Sequence, residues 1–246
     1  KPILVVRSRW FGKAKHSQMT GKSSLFSALT AVDAPGQHVA TLVFMHGLGD
    51  TADGWKSQLK LLQSSKPGLR IVLPTAPVRP VTANGGMRMT SWHDIRSFAS
   101  IASEDMKGLE ESSAAVQEVI NQEIQRGVPS KNIIVGGFSQ GAALAMYAGL
   151  QMSSPLGGII SMSGYLPHYE TFMQSKLSAS NARTPVMLCH GSADPIVPYR
   201  AGQLTYEILH GGGVPAEMKT YPGLGHSADP HELNDVAKFV SKIMGQ

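Results

Sequence analysis

A serine stands between two glycines in Gly137-Phe138-Ser139-Gln140-Gly141, after an apolar run and before a stretch of small residues. A serine hydroxyl is a weak nucleophile until a base takes its proton, so the motif means little without a histidine and an acid. Its position between a strand and a helix is what makes a nucleophile elbow. There the serine occupies a sharp, strained turn, and the first amides of the helix face developing negative charge. The flanking glycines then lie where a side chain would meet the neighbouring backbone.

The acid and the base follow by elimination. With a strand-turn-helix serine in a parallel sheet, the chain order is serine, acid, histidine. Asp194 is the only aspartate between Ser139 and His226, and it lies just past an apolar run in His190-Gly191-Ser192-Ala193-Asp194-Pro195. His210, His226 and His231 come after it. His210 precedes three glycines at a helix end, where a cation suits the helix dipole. His231 falls in the first turn of the last helix. His226 stands on a strand-end loop, Gly223-Leu224-Gly225-His226, and is the expected base. The spare acids Glu170, Glu207 and Glu217 follow no strand end. One oxyanion donor is the backbone amide of Gln140, next to the nucleophile. The second is expected in His46-Gly47-Leu48-Gly49-Asp50, with the Leu48 amide as donor. Losing one such donor costs about 3–4 kcal/mol of barrier.

These groups need a scaffold that brings several strand ends together. Apolar runs of strand length lie at residues 39–45, 69–73, 133–135, 156–162 and 185–189, and 216–221 reads as a sixth strand. Helical stretches alternate with them at 53–64, 104–126, 141–150, 199–209 and 230–244. In the first, Trp55, Leu59 and Leu62 recur at i, i+4, i+7. Continuous apolar strands alternating with helices predict an α/β chain with a mostly parallel sheet covered on both faces. Ligands in such sheets sit beyond the carboxyl ends of the strands. Residues 74–92 form the one long connection and read as a lid or binding loop.

Composition narrows the function classes. Of 246 residues, 42% are hydrophobic and 16% charged, which excludes a disordered chain and a coiled coil. No run of 18 apolar residues exists to form a spanning helix. A single cysteine, Cys189, excludes intramolecular disulfides and a cysteine zinc cluster, and fits a reducing compartment. The net charge of +5 is local. Residues 1–32 carry six basic side chains and no acid, so the other 16 Lys/Arg and 17 Asp/Glu leave the body at −1. The body lacks basic patches interleaved with aromatics, so no nucleic-acid partner is expected. The arm reads as a flexible terminus, a membrane-surface segment or the end of a transit peptide. Gly21-Lys22-Ser23 is no phosphate-binding loop, because His16 stands where its first glycine is required. Gly47-Leu48-Gly49 is no dinucleotide site, because Leu73-Pro74-Thr75 offers no acid for a ribose.

Five segments together resemble the acyl-protein thioesterases, lysophospholipase-like carboxylesterases of the α/β-hydrolase superfamily. They are HGLGDTADGW (46–55), PTAPVRPVTANGGMRMTSWHD (74–94), GGFSQGAALAMY (136–147), CHGSADPIVP (189–198) and GLGHS (223–227). The resemblance runs in order from about residue 23 to the C-terminus. It implies an α/β-hydrolase domain over 23–246 behind a basic arm over 1–22. It implies Ser139, Asp194 and His226 as catalytic triad and the Leu48 and Gln140 amides as oxyanion hole, in agreement with the elimination. It also implies hydrolysis of S-palmitoyl cysteine on proteins, with esterase and lysophospholipase side activities. The chain departs from the family at His93, where Phe, Tyr or Leu is usual, and at Tyr165, where Trp is frequent. Self-anchoring by an acylated N-terminal cysteine is not expected, since Cys189 is the only cysteine.

Met87, Met89, Trp92 and Tyr165 are the expected acyl-channel residues, methionine because it adapts to lipid shape. Neither a metal nor an organic cofactor is expected, because no ligand cluster stands at metal spacing. The expected partners are S-acylated proteins or acyl-ester lipids as substrates, with transient membrane-surface contact, in a cytoplasmic monomer or weak homodimer. A short-chain carboxylesterase or lysophospholipase is the rival within the class. A catalytically silent lipid- or partner-binding module is the rival outside it.

Overall fold

The computed structural model describes residues 25–97 and 105–245. The basic arm and its boundary at residue 22 lie outside the described residues. The sheet is seven-stranded, in the order β1 (Ala28–Val32), β3 (Leu69–Thr75), β2 (Ala40–Met45), β6 (Ile133–Phe138), β7 (Gly158–Met162), β8 (Val186–Gly191), β9 (Ala216–Tyr221). β1 runs antiparallel to β3, and the other pairings are parallel. The mostly parallel sheet expected from the sequence is present.

Strand pleating assigns the two cores. Along β2, Val43 and Met45 point to one face and Leu42 and Phe44 to the other, and all four are buried. The first face packs against α2 (Met106–Gln125), α3 (Gln140–Gly149) and α5 (Tyr199–Gly211) through Leu109, Val116, Ile120, Leu144 and Leu209. The second packs against α1 (Ala52–Ser64) and α6 (Pro230–Ile243) through Trp55, Leu59, Leu62, Val236 and Val240. Each such side chain contributes roughly 1.5–3 kcal/mol on burial. All ten residues of α3 are buried, and its alanines let it lie close against β6 and β7. The helix that follows Ser139 is thereby fixed on every side.

The strand order reverses between β2 and β6. The chain leaves β2 for β3 on one side and returns as β6 on the other, with Met45 paired to Gly137. At such a switch point the loops leaving the two strands diverge and leave a crevice. The crevice lies between the 46–50 loop and the elbow at Ser139.

Three elements differ from the sequence expectation. Residues 74–92 are not a plain loop: β4 (Val78–Val81) and β5 (Met87–Thr90) form an antiparallel hairpin, turned by Gly85 and Gly86 at φ 65 and 78. The alternation Val78-Arg79-Pro80-Val81 with an Asn-Gly turn is a hairpin signal that the proline masked. β1 was not expected because an edge strand buries little, and its sequence shows no continuous apolar run. The seven-residue α4 (Tyr169–Ser175) is too short to show a helical period.

α6 begins four residues after His226. Its cap is Asp229, whose carboxylate accepts from the Glu232 amide at 2.8 Å, with Pro230 in the first turn. The Glu232 side chain is fully buried, and neither carboxyl oxygen has a hydrogen-bond partner among the described residues. Burial, and secondarily the charge of Asp229, push this carboxyl up to about 8. Between the unfolded value of 4.5 and that value, the folded chain holds a proton that the unfolded chain has lost. Stability therefore falls as pH rises through this window and levels off above it. Glu232→Gln is neutral in both states. It is expected to raise Tm, with a gain near zero at the acid end that grows to about 3 kcal/mol by pH 7. Thermal melts from about pH 5 to pH 8 check this, and a gain independent of pH would contradict it.

Candidate active site

Ser139 closes β6 with φ 55 and ψ −121, a backbone conformation that L-residues avoid. Such a residue costs about 1–3 kcal/mol and persists only where its surroundings over-determine it. Here its amide donates to Met162 O at 2.8 Å, and its carbonyl accepts from Ala142 and Ala143 at 2.9 and 3.1 Å. A Cβ on Gly137 would overlap the Gly141 backbone, and one on Gly141 would overlap the carbonyl oxygens of Met45 and His46. Both glycines of the motif are therefore steric requirements of the turn.

His226 reaches the serine from the loop after β9. Its Nε2 lies 2.9 Å from Ser139 Oγ, and its Nδ1 lies 2.7 Å from Asp194 Oδ2. A carboxylate only accepts, so Nδ1 carries the proton and Nε2 offers its lone pair to the serine hydroxyl. The Asp194 side chain is fully buried, and its Oδ1 accepts from the Ile196 and Val197 amides at 2.9 Å each. The loop is held by Ala193 N–H donating to Leu224 O and Gly223 N–H donating to Ser192 Oγ, at 3.0 and 2.9 Å. The Phe138 ring lies 4.8 Å from the His226 ring and leans on Trp55 at 5.3 Å. One wall of the imidazole is thus built from the α1 core.

The 46–50 loop is held as firmly. His46 is buried, and its Nε2 accepts from the Ala76 amide at 3.0 Å. Nδ1 therefore carries the proton and donates to Gly47 O at 2.7 Å. Burial keeps this imidazole below the ordinary histidine pKa. Gly47 and Leu48 share a trans peptide, so fixing the Gly47 carbonyl aims the Leu48 amide the opposite way. This peptide lies beside Ser139, since a Cβ on Gly47 would fall 3.5 Å from Ser139 Cβ. The amides of Gly49 and Asp50 are already taken by Thr90 O and Gly47 O.

Gln140 follows Ser139, and its amide opens α3 beside it. Its buried side chain does more than the sequence foretold. Oε1 accepts from the Trp92 amide at 3.0 Å, and Nε2 donates to His93 O at 2.9 Å. The elbow is thereby tied to the segment that follows the hairpin.

The four residues expected to line an acyl channel do not stay together. Met87 is 64% exposed on the hairpin. Met89 is half-buried against the 46–50 loop, its sulfur 3.8 Å from where a Gly49 Cβ would lie. Tyr165 is buried with Ala143 and Val197, on the side of the crevice near Asp194. Trp92 departs from the expectation: it is wholly buried, its indole N–H donates to His46 O at 2.8 Å, and Ser112 Oγ donates to its carbonyl. An apolar residue at the end of a long connection can face ligand or core. The free indole donor was met by a backbone carbonyl, and Trp92 became a core anchor. His46, His190 and Phe138 also shape the site, and the signal for them was an aromatic residue next to a strand-end glycine.

The strain at Ser139 can be weighed directly. Ser139→Gly relieves it, and Ser139→Ala retains it. The glycine variant is expected to exceed the alanine variant by about 1 kcal/mol, after the larger unfolded-state entropy of glycine is subtracted. Denaturant melts of the two variants measure this, and equal midpoints would remove the strain argument.

Comparison with known proteins agrees with this architecture. The chain matches the phospholipase/carboxylesterase family over residues 28–244. It is 42% identical to acyl-protein thioesterase 1 of Gibberella zeae over 217 residues, 85% of this chain and 92% of that protein. It is 40% identical to acyl-protein thioesterase 1 homolog 1 of Dictyostelium discoideum, over 84% of this chain and 92% of that one. The crystal structure of Zea mays acyl-protein thioesterase 2 superposes with a TM-score of 0.79 at 32% identity, covering 89% of this chain and 100% of that one. With its sheet order, its elbow at the switch point and its sequence alike, the chain belongs to the phospholipase/carboxylesterase family of α/β-hydrolases.

Proposed function

We propose that the chain is a serine hydrolase that removes long acyl groups from S-acylated proteins. The observation that carries the reading is His226 bridging Ser139 and Asp194 at 2.9 and 2.7 Å on a strained elbow. The thioester preference draws on the relatives, which are named acyl-protein thioesterases.

In this reading Ser139 Oγ attacks the thioester carbonyl carbon while its proton passes to His226 Nε2. Asp194 holds the imidazolium and keeps its proton on Nδ1. The Leu48 and Gln140 amides take the oxyanion, already aimed by the His46 clamp and the start of α3. Collapse breaks the carbon–sulfur bond, and the departing thiolate takes the proton from His226. Water then repeats the sequence on the acyl-enzyme, releasing fatty acid and restoring Ser139. A thiolate leaves readily, so the site needs less acid assistance than a peptidase does. The chemistry uses no metal or organic cofactor.

Met87, Met89 and Tyr165 are the proposed contacts of the acyl chain, arranged around the crevice from the hairpin to the Asp194 side. Because S-acyl groups of proteins reside in lipid, a transient meeting with a membrane surface from the cytoplasmic side belongs to the same reading. None of the described helices is long and apolar enough to cross a membrane.

A chain-length series tests the proposal. For acyl thioesters of about two to sixteen carbons, kcat/KM is expected to rise severalfold per added pair of methylenes, below the ceiling of ~0.8 kcal/mol per methylene. Ser139→Ala should abolish the turnover. A flat or falling profile would replace the reading by a short-chain carboxylesterase. Absence of Ser139-dependent turnover and of fluorophosphonate labelling would leave only a binding module.

A further inference from the structure

The carboxylate of Asp194 is held by a structure larger than its bond to His226. Both backbone groups of Val197 are committed around it. The Val197 amide donates to Asp194 Oδ1 at 2.9 Å, and the Val197 carbonyl accepts from His190 Nε2 at 2.9 Å. A carbonyl only accepts, so His190 carries its proton on Nε2. The same nitrogen lies 3.6 Å from Asp194 Oδ2, the oxygen that His226 uses. The His190 side chain is 2% exposed. Its other nitrogen backs onto α5 at Gly202, where a Cβ would fall 2.5 Å from Nδ1. Tyr199 stands edge-on to the ring at 5.9 Å, its hydroxyl 2.6 Å from Thr220 Oγ1. Asp194 and His226 are the titratable groups that face it. Burial keeps the ring below the ordinary histidine pKa, against the opposing pull of the Val197 carbonyl and Asp194. Burial thus favours the neutral imidazole, and its surroundings impose one tautomer.

We propose that His190 is a positioning residue for the acid of the triad: its Nε2–H clamps the 194–197 turn by the Val197 carbonyl, and its ring edge stands 3.6 Å from Asp194 Oδ2 beside His226. The proposal rests on the reading of Ser139, His226 and Asp194 as a catalytic triad. It assigns His190 two effects. The clamp fixes where the carboxylate points, and hence where His226 Nε2 meets the serine. The N–H beside Oδ2 stabilises the carboxylate charge and so moderates how strongly Asp194 draws the proton of His226. Serine, cysteine or lysine chemistry at this spot is not implied, because His190 touches no reacting atom.

Gly202 is explained by the same geometry. A glycine inside a helix costs up to about 1 kcal/mol relative to alanine, and here alanine would push the imidazole off the Val197 carbonyl.

The test compares three variants of the full chain with a p-nitrophenyl acyl ester, reading kcat and KM separately from about pH 5 to pH 9. His190→Phe keeps a planar aromatic ring, slightly larger than the imidazole, and removes the donor. It is expected to lower kcat by ~10- to 100-fold with KM within about twofold. The acid limb of kcat/KM, where His226 must be free of its proton to act as base, should move to higher pH. His190→Gln can place an amide N–H near the position of Nε2 and should recover most of kcat and return the limb. Gly202→Ala keeps His190 and displaces it, so it should repeat the phenylalanine signature in milder form. If His190→Phe fails to fold, the glutamine and Gly202 variants decide the matter by the same signature. Loss of kcat with an unmoved or acid-shifted limb, or no recovery by glutamine over phenylalanine, overturns the proposal. A wild-type chain without Ser139-dependent turnover fails the triad reading itself, whereas active wild type with unaffected variants fails only the role of His190.

Discussion

Ser139 holds a non-glycine backbone at φ 55, and the rest of the site is arranged so that it cannot relax. The strain puts the hydroxyl above the sheet, where neither strand nor helix would otherwise present it. Holding it requires the β6–β7 pairing that supplies Met162 O, and glycines at 137 and 141 that let β6, α3 and the end of β2 come together. It also requires a rigid α3, which explains why a surface-like amphipathic helix is absent there and all ten of its residues are buried. A cost of about 1–3 kcal/mol is tolerable only because two cores, one on each face of the sheet, offset it many times over.

Around that turn, buried side chains replace water as the partner of loop backbone. His46 joins the end of β2 to Ala76, Gln140 joins the elbow to residues 92 and 93, and Trp92 returns a donor to His46 O. These bonds link the 46–50 loop to the segments on either side of the hairpin, and the segment after it to the first turn of α3. The exposed hairpin is attached to the 46–50 loop through Thr90, whose carbonyl takes the Gly49 amide and whose hydroxyl donates to Asp50 O. Met89 is thus linked through Thr90 and Gly49 to the proposed oxyanion donor at Leu48, so the proposed acyl contact and the proposed oxyanion hole share one piece of backbone.

The sequence carried the parts of this arrangement that depend on order and type. Ser139 was legible from its flanking glycines and its place between strand and helix, Asp194 from being the lone aspartate in its interval, and His226 from its strand-end loop. The parallel sheet was legible because buried strands are apolar without interruption. What depends on the third dimension was not. β1 is an edge strand with little to bury, and the hairpin at 78–90 looked like a loop because Pro80 sits in it. Trp92 looked like a ligand surface because a sequence does not say which face of a segment turns inward. An aromatic residue beside a strand-end glycine marks His46 and Phe138, but the partners Ala76 and His226, like Trp92 for Gln140, lie at least 30 residues away in the chain, and no local pattern names them.

The two His-Gly pairs, at the ends of β2 and β8, show how one residue type can serve opposite hydrogen-bonding needs. His46 must accept at Nε2 and donate at Nδ1, because an amide and a carbonyl flank it. His190 must donate at Nε2, because a carbonyl and a carboxylate lie on that side. Only a neutral imidazole can hold both a donor and an acceptor in one rigid ring, and burial lowers the pKa of each ring. Protonation of either would cost folding energy, since the unfolded chain takes up those protons more readily. Both therefore weaken the fold as pH falls below the ordinary histidine range. Glu232 acts in the other direction and weakens it as pH rises. The same burial that fixes the site's geometry thus confines its stability to a window of pH. The proposed mechanism also needs a neutral imidazole at His226, so the proposed base and the two buried histidines that brace its surroundings all depend on staying unprotonated.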